Sequence, residues 1–183
     1  MTPAERERVI SYLNQSRENL LNIASRLSPT QLQFKPAADR WSVAGCIEHI
    51  IVVEDRIFQR IAGALQQPID ESRHSAFEGR DEALVEKVVS RAERVQAPEA
   101  IHPTGRWPLD RLPSEFELVR GRSLDFATQT GAELRRHFAP HPMLGEFDCY
   151  QWLLMIGAHG ERHRAQAEEV IASANFPRAA AAS

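Results

Sequence analysis

The stretch Trp152-Leu153-Leu154-Met155-Ile156-Gly157-Ala158-His159-Gly160-Glu161-Arg162-His163 decides the fold prediction, because it sets two histidines in a strongly apolar segment. His159 and His163 are four residues apart, so on a helix they share one face, one turn apart. An apolar line runs through both in steps of three and four residues, which predicts the buried stripe of an amphipathic helix: Trp152, Ile156, His159, His163, Ala167 and Val170. A buried polar group is costly without a partner, and a bound cation would be one.

Three further segments carry apolar residues at helical spacing behind helix-start signals. Their starts are Thr2-Pro3, Ser42 and Ser114-Glu115, and we expect the third helix to run to Phe138. Shorter helices are predicted after Ser28 and Asp81. Residues 95–113 are interpreted as a long connection that serves a site or covers a surface. No segment carries the pattern of a β-strand. The sequence therefore predicts an all-α four-helix bundle with short extra helices in the connections. Residues 1–177 are expected to form one domain, followed by a disordered tail at 178–183.

Bulk composition excludes several classes of protein. The net charge of −3 provides no basic surface for nucleic acid. The chain shows no N-terminal signal peptide and no apolar run long enough to span a bilayer, so we expect a cytoplasmic protein with no membrane partner. Cys46 and Cys149 lie in separate apolar segments, and we interpret them as small buried hydrophobic residues rather than a disulfide.

Seven histidines are present, but only His49, His159 and His163 lie on apolar stripes of long helices. Each alone is compatible with a hydrogen-bonded core histidine. Together, three imidazoles from two helices could bind one divalent cation and leave a coordination position open, as in catalytic zinc sites. Imidazole suits zinc, nickel, iron, cobalt and copper, so the identity of the metal stays open. The other histidines fall in connections or at a helix end: His74, His102, His137 and His141.

The order of these motifs carries a family resemblance. Trp41-Ser42 precedes Glu48-His49, a loop reads Pro142-Met143-Leu144-Gly145, and the last helix carries His159-Gly160-Glu161-Arg162-His163-Arg164-Ala165-Gln166. Over nearly its whole length the chain resembles the DinB-like metalloenzymes of the DinB superfamily. The resemblance implies a four-helix bundle, a divalent metal on His49, His159 and His163, and a homodimer. It also implies a small-molecule substrate, because some members transfer a low-molecular-weight thiol (bacillithiol, mycothiol or glutathione) to an electrophile and others resemble metal-dependent hydrolases.

Three functions follow as hypotheses. In a metal-dependent thiol transferase the ion stabilises a substrate thiolate, so the protein needs no nucleophile. In a hydrolase a metal-bound water attacks, and a carboxylate base would help. Glu48 and Glu161 neighbour the histidines but are expected to point to other faces, whereas Glu54 and Asp55 could hydrogen-bond a ligand imidazole. In the third, a non-enzymatic bundle, the histidines store metal, act as a structural clip or are plain core. Aromatic residues that could line a substrate pocket are Phe34, Trp41, Trp107, Phe147 and Trp152.

Overall fold

The computed structural model describes residues 1–77, 79–93 and 95–178. Most of this part of the chain is helical. The long helices are α1 (Pro3–Ala24), α3 (Val43–Ala64), α5 (Leu112–Gln129) and α6 (Cys149–Ala172), and the short ones are α2 (Pro29–Gln33) and α4 (Asp81–Val89). Short 3-10 helices lie at Glu71–Ala76, Glu99–Ile101 and Leu134–Arg136. The tail predicted at 178–183 falls, apart from Arg178, outside the described residues.

Side-chain hydrogen bonds cap the starts of three long helices, and those of α1 and α3 are at the predicted residues. Thr2 and Glu5 form a capping box at the start of α1. Ser42 accepts a hydrogen bond from the Gly45 N–H at 3.0 Å, and Asp148 accepts one from the Gln151 N–H at 2.7 Å. The capping box predicted at Ser114 is wrong, because α5 begins at Leu112 and the Ser114 hydroxyl donates to the Arg111 carbonyl instead.

A β-hairpin corrects the prediction that the chain contains no strand. Strands β1 (Phe138–His141) and β2 (Gly145–Asp148) pair antiparallel. The helix expected to reach Phe138 ends at Gln129, where the Arg6 guanidinium on α1 donates to the carbonyls of Ala127, Thr128 and Thr130. Those carbonyls have no partner inside the helix, so Arg6 provides a cap from a distant part of the sequence.

Helix α6 forms the centre of the packing, against α1, α3 and α4, while α5 packs on α1 and α3. Two glycines on α6 let α1 approach closely. A Cβ added at Gly157 would lie 2.7 Å from a ring carbon of Tyr12, and one added at Gly160 would lie 3.2 Å from the Ser16 Cβ. All residues of α6 from Cys149 to Ala158 are buried in the core.

A buried ion pair ties α5 to α3. The Arg120 guanidinium is fully buried and donates to the Glu54 carboxylate at 2.9 and 3.0 Å, and also to the Leu13 carbonyl and the Ser16 hydroxyl on α1. With the charge paired and its N–H groups satisfied, the pair fixes how three helices meet. No described helix is long and apolar enough to cross a membrane.

Candidate metal centre

Helices α3 and α6 bring the three predicted histidines together. His49 projects from α3, and His159 and His163 project from successive turns of α6. The Nε2 atom of His159 lies 3.3 Å from Nε2 of His49 and 3.1 Å from Nε2 of His163. One nitrogen from each ring lies within 4.8 Å of the others. We call these residues the His triad; His49 and His163 are buried, and His159 keeps some contact with solvent.

Hydrogen bonds on the far side of two rings fix their tautomers. His49 Nδ1 lies 2.8 Å from the Ile101 carbonyl oxygen, and His163 Nδ1 lies 2.9 Å from Gln166 Oε1. A carbonyl oxygen only accepts, so each Nδ1 carries the proton and each Nε2 presents a lone pair to the centre of the triad. Arg91 donates to the same Gln166 oxygen at 3.4 Å, which agrees with that orientation of the amide.

The arrangement is incomplete as a set of hydrogen bonds. His159 Nε2 can carry one proton, so it can donate to one neighbouring nitrogen, and at least one lone pair of the triad still faces another nitrogen. A cation bound by all three nitrogens removes that mismatch. The donors therefore fit a divalent metal with imidazole ligands, and the partners of His49 and His163 are those that orient metal-bound histidines in other proteins.

All three imidazoles are held neutral, which is the form that binds a metal. Burial lowers the pKa of His49 to about 4, against the opposing effect of the Ile101 hydrogen bond. Burial also holds the pKa values of His159 and His163 well below the ordinary range, and the neighbouring histidines push in the same direction. At neutral pH the site therefore presents lone pairs and no charge of its own.

The connection between α4 and α5 closes one side of the triad, and Glu48 holds it there. The Glu48 side chain was expected to face outward or towards another helix, but it is buried. Its carboxylate accepts hydrogen bonds from the backbone N–H groups of Thr104 at 2.7 Å and Gly105 at 2.8 Å. Ile101, whose carbonyl orients His49, lies three residues before Thr104. The connection thus serves the site, which is one of the two roles expected of it, and Glu48 attaches it to α3.

The other carboxylates of the sequence analysis bond elsewhere. Glu54 pairs with Arg120, Asp55 pairs with Arg122 and Glu161 pairs with Arg164. The prediction that Glu54 or Asp55 supports a ligand imidazole is wrong, because the Ile101 carbonyl and the Gln166 amide oxygen fill those roles. Within the described residues, the cluster of possible ligand atoms consists of imidazoles and contains no carboxylate.

Of the aromatic residues considered for a pocket, Trp41 lies against the triad. Its ring centroid is 4.6 Å from that of His49 and 5.9 Å from that of His163. The others lie elsewhere: Phe34 packs on Phe176, Trp107 packs on an apolar cluster of α3 and α5, and Phe147 packs on Trp152. Both cysteines are buried free thiols, and burial raises each pKa to about 12, which disfavours the thiolate.

Comparison with known proteins gives a family. The model of the DinB superfamily matches residues 12–167. The chain belongs to the DinB superfamily. One DinB relative, the uncharacterized protein YuaE of Bacillus subtilis strain 168, is 25% identical over 166 residues, which cover 88% of this chain and 96% of YuaE. No solved structure gives a significant match.

Sequence reasoning missed Glu48, Ile101 and Gln166 as the residues that organise this DinB site. Gln166 had a usable signal, because it follows His163 by three residues and so lies on the same face of α6. Ile101 had none, since its contribution is a main-chain carbonyl in a segment without helical periodicity.

Proposed function

We propose that this protein binds one divalent metal ion on His49, His159 and His163 and transfers a low-molecular-weight thiol to an electrophilic small molecule. The observation that supports metal binding is the meeting of three Nε2 atoms, two of which have their lone pairs fixed towards the centre. Membership of the DinB superfamily supports the same proposal. The donor set does not choose among zinc, nickel and iron.

The composition of the triad favours thiol transfer over hydrolysis. Three neutral ligands leave the full charge of a bound divalent ion, which would stabilise a substrate thiol as its thiolate. A carboxylate base would help hydrolysis by taking a proton from the attacking water, and the cluster of the described residues includes no carboxylate. Thiol transfer does not require such a base, so it matches the residues that are present.

The chain contributes orientation and access. Ile101 and Gln166 hold two imidazoles in the metal-binding tautomer. Trp41 covers the side of the triad formed by His49 and His163. His159 is the triad member with the most exposed surface, and we place the substrate entrance on its side.

The wider expectations belong to the same proposal. We propose that α1, α3, α5 and α6 form the four-helix bundle of the DinB type within one domain, and that the protein acts in the cytoplasm as a homodimer, as the family resemblance implies. Light scattering of the purified protein measures the oligomeric state, and a monomer would contradict that part.

Metal content of the purified protein tests the site. The His163→Ala variant should contain no stoichiometric metal by mass spectrometry of the elements, with its helical circular dichroism retained. His102→Ala is the matched control, because His102 also lies against Trp41, at 5.9 Å, but is not part of the triad. Full metal occupancy in His163→Ala would refute the assignment.

A panel of thiols with a chloroalkyl fluorogenic electrophile tests the reaction. We expect metal-dependent thioether formation with at least one of bacillithiol, mycothiol and glutathione, and no turnover after removal of the metal. Ester hydrolysis without thioether formation would replace the transferase by a hydrolase. Metal-dependent thermal stability with no turnover at all would point to a structural clip.

A further inference from the structure

His141 has an unused hydrogen-bond donor. It is the last residue of β1, and its Nδ1 accepts the backbone N–H groups of Met143 and Leu144, each at 3.1 Å. A ring nitrogen that accepts hydrogen bonds carries no proton, so neutral His141 carries its proton on Nε2. No residue in the described ranges accepts a hydrogen bond from that Nε2–H. The turn therefore fixes the ring and directs its donor away from the hairpin backbone.

The ring of Trp152 packs against both His141 and the cationic side chain of Arg60. The imidazole centroid lies 5.4 Å from the Trp152 ring, and the Arg60 guanidinium carbon lies 5.1 Å from the centroid of the same ring. Trp152 is itself fixed, because it is buried and its indole N–H donates to the Ala139 carbonyl at 3.1 Å. Arg60 also donates to the Pro140 carbonyl, next to His141 in the hairpin. Both polar side chains remain partly exposed.

This cluster lies in line with the metal ligands on both helices. Arg60 follows His49 on α3 by eleven residues, and Trp152 precedes His159 on α6 by seven; both intervals return to the same helix face. Seven residues of helix span about 10 Å. Arg60 and Trp152 therefore lie on the same helix faces as the histidines of the triad.

We propose that His141 and Arg60 form a subsite for the carboxylate of the substrate whose thiol is held at the His triad. His141 Nε2–H donates to the carboxylate, Arg60 supplies positive charge, and the buried Trp152 ring holds these two side chains in place. Burial, followed by the positive charge of Arg60, lowers the pKa of His141 to about 4, so the ring remains neutral and keeps its single donor at neutral pH. This inference rests on the proposed function only in one respect, the binding of the substrate thiol at the His triad.

Two probes of equal length separate the carboxylate from the thiol. Mercaptooctanoate and mercaptooctanol differ at the end away from sulfur, and their binding to the cobalt-loaded protein is followed by the thiolate-to-cobalt absorption band. We expect the wild-type protein to bind mercaptooctanoate roughly tenfold more tightly, the size of one charge-assisted hydrogen bond. Equal binding of the two probes would refute the subsite and leave the metal centre intact.

Substitutions at His141 and Arg60 test whether these two residues cause the preference for mercaptooctanoate over mercaptooctanol. His141→Asn retains an acceptor where Nδ1 meets the two N–H groups but lacks the distal donor, so it should lose the preference with unchanged thermal stability. His141→Gln places an amide N–H where Nε2 stood and should keep part of it. Arg60→Gln should lose it as well, whereas the control Arg122→Gln, which removes a guanidinium 4.4 Å from the Phe58 ring on another surface, should not. Retention of the full preference in both His141→Asn and Arg60→Gln would overturn the proposal.

Octanoate, which has no thiol, tests the subsite even if cobalt does not bind. In the metal-free protein, octanoate should shift the nitrogen resonance of His141 Nε2 and the Trp152 indole resonance, and Arg60→Gln should abolish both shifts. An absence of shifts in the wild-type protein at saturating octanoate would refute the subsite. A failure of cobalt binding together with intact octanoate shifts would instead refute the proposed function alone.

Discussion

Glu48 offers a sensitive test of how the connection between α4 and α5 supports the metal centre. Its buried carboxylate accepts the N–H groups of Thr104 and Gly105 at 2.7 and 2.8 Å, and the same segment supplies the Ile101 carbonyl to His49. Glu48→Ala removes both acceptors and frees the segment to move away from α3. Loss of the partner that orients a metal-bound histidine typically weakens metal binding by roughly 10- to 100-fold, equivalent to about 1.4–2.7 kcal/mol.

The assay is competition for zinc against a chromogenic chelator, with circular dichroism to verify the fold. Glu48→Gln retains the volume and one acceptor oxygen, so its loss of affinity should be intermediate. Glu161→Ala is the matched control: this residue lies between His159 and His163 in sequence, but bonds to Asn19 at 3.0 Å and Arg164 at 2.6 Å. Wild-type zinc affinity in Glu48→Ala, or an equal loss in Glu161→Ala, would refute the orienting role.

Three further predictions concern stability. Burial lowers the pKa of His49 from 6.5 to about 4, so between these pH values the unfolded chain binds more protons than the folded protein. The free energy of unfolding of the metal-free protein, measured by urea titration, should therefore fall as the pH drops from 6.5 towards 4. Gly157→Ala should destabilise the folded protein by about 1–3 kcal/mol, because the added Cβ would lie 2.7 Å from Tyr12. Gly121→Ala has open space around it and should stabilise the folded protein by up to about 1 kcal/mol. Thermal unfolding measures both changes. Glu54→Gln should cost about 3–5 kcal/mol by leaving the Arg120 charge unpaired, and adding Arg120→Met should recover part of that loss in a double-mutant cycle.

Each stability prediction has a result that contradicts it. A free energy of unfolding that stays constant across the acid range, or a slope that is unchanged in His49→Phe, would contradict the histidine contribution. Equal changes in stability for the two glycine substitutions would show that contact with α1 does not decide whether the added methyl group stabilises or destabilises the protein. Additive losses at Glu54 and Arg120 would mean that the pair is not coupled.

The three histidines could be predicted from the sequence because each lies on the buried face of an amphipathic helix. Histidines four residues apart share a face on any helix, and the apolar line through His159 and His163 identified that face as buried. His49 followed from the same periodicity on α3. The choice of these three residues thus depended on helix periodicity, and the structure brings one nitrogen of each within 4.8 Å of the others.

The features that the sequence did not predict depend on partners far along the chain. The end of α5 at Gln129 is capped by Arg6, which lies 121 residues from Ala127. The strands of the hairpin are four residues each, and Pro140 and Pro142 obscure any alternation. Glu48 looked like a surface residue because its partners are main-chain N–H groups 56 and 57 residues away, and main-chain donors leave no sequence pattern.

The sequence separation within the triad has a consequence for kinetics. His49 and His159 are 110 residues apart, so their nitrogens meet only after α6 has docked on α3. A cation that requires all three ligands stabilises the completed fold and no earlier species. Its free energy therefore appears in the rate of unfolding, while the rate of folding stays that of the metal-free chain. Occupancy of the site would prolong the lifetime of the native protein without helping it to form.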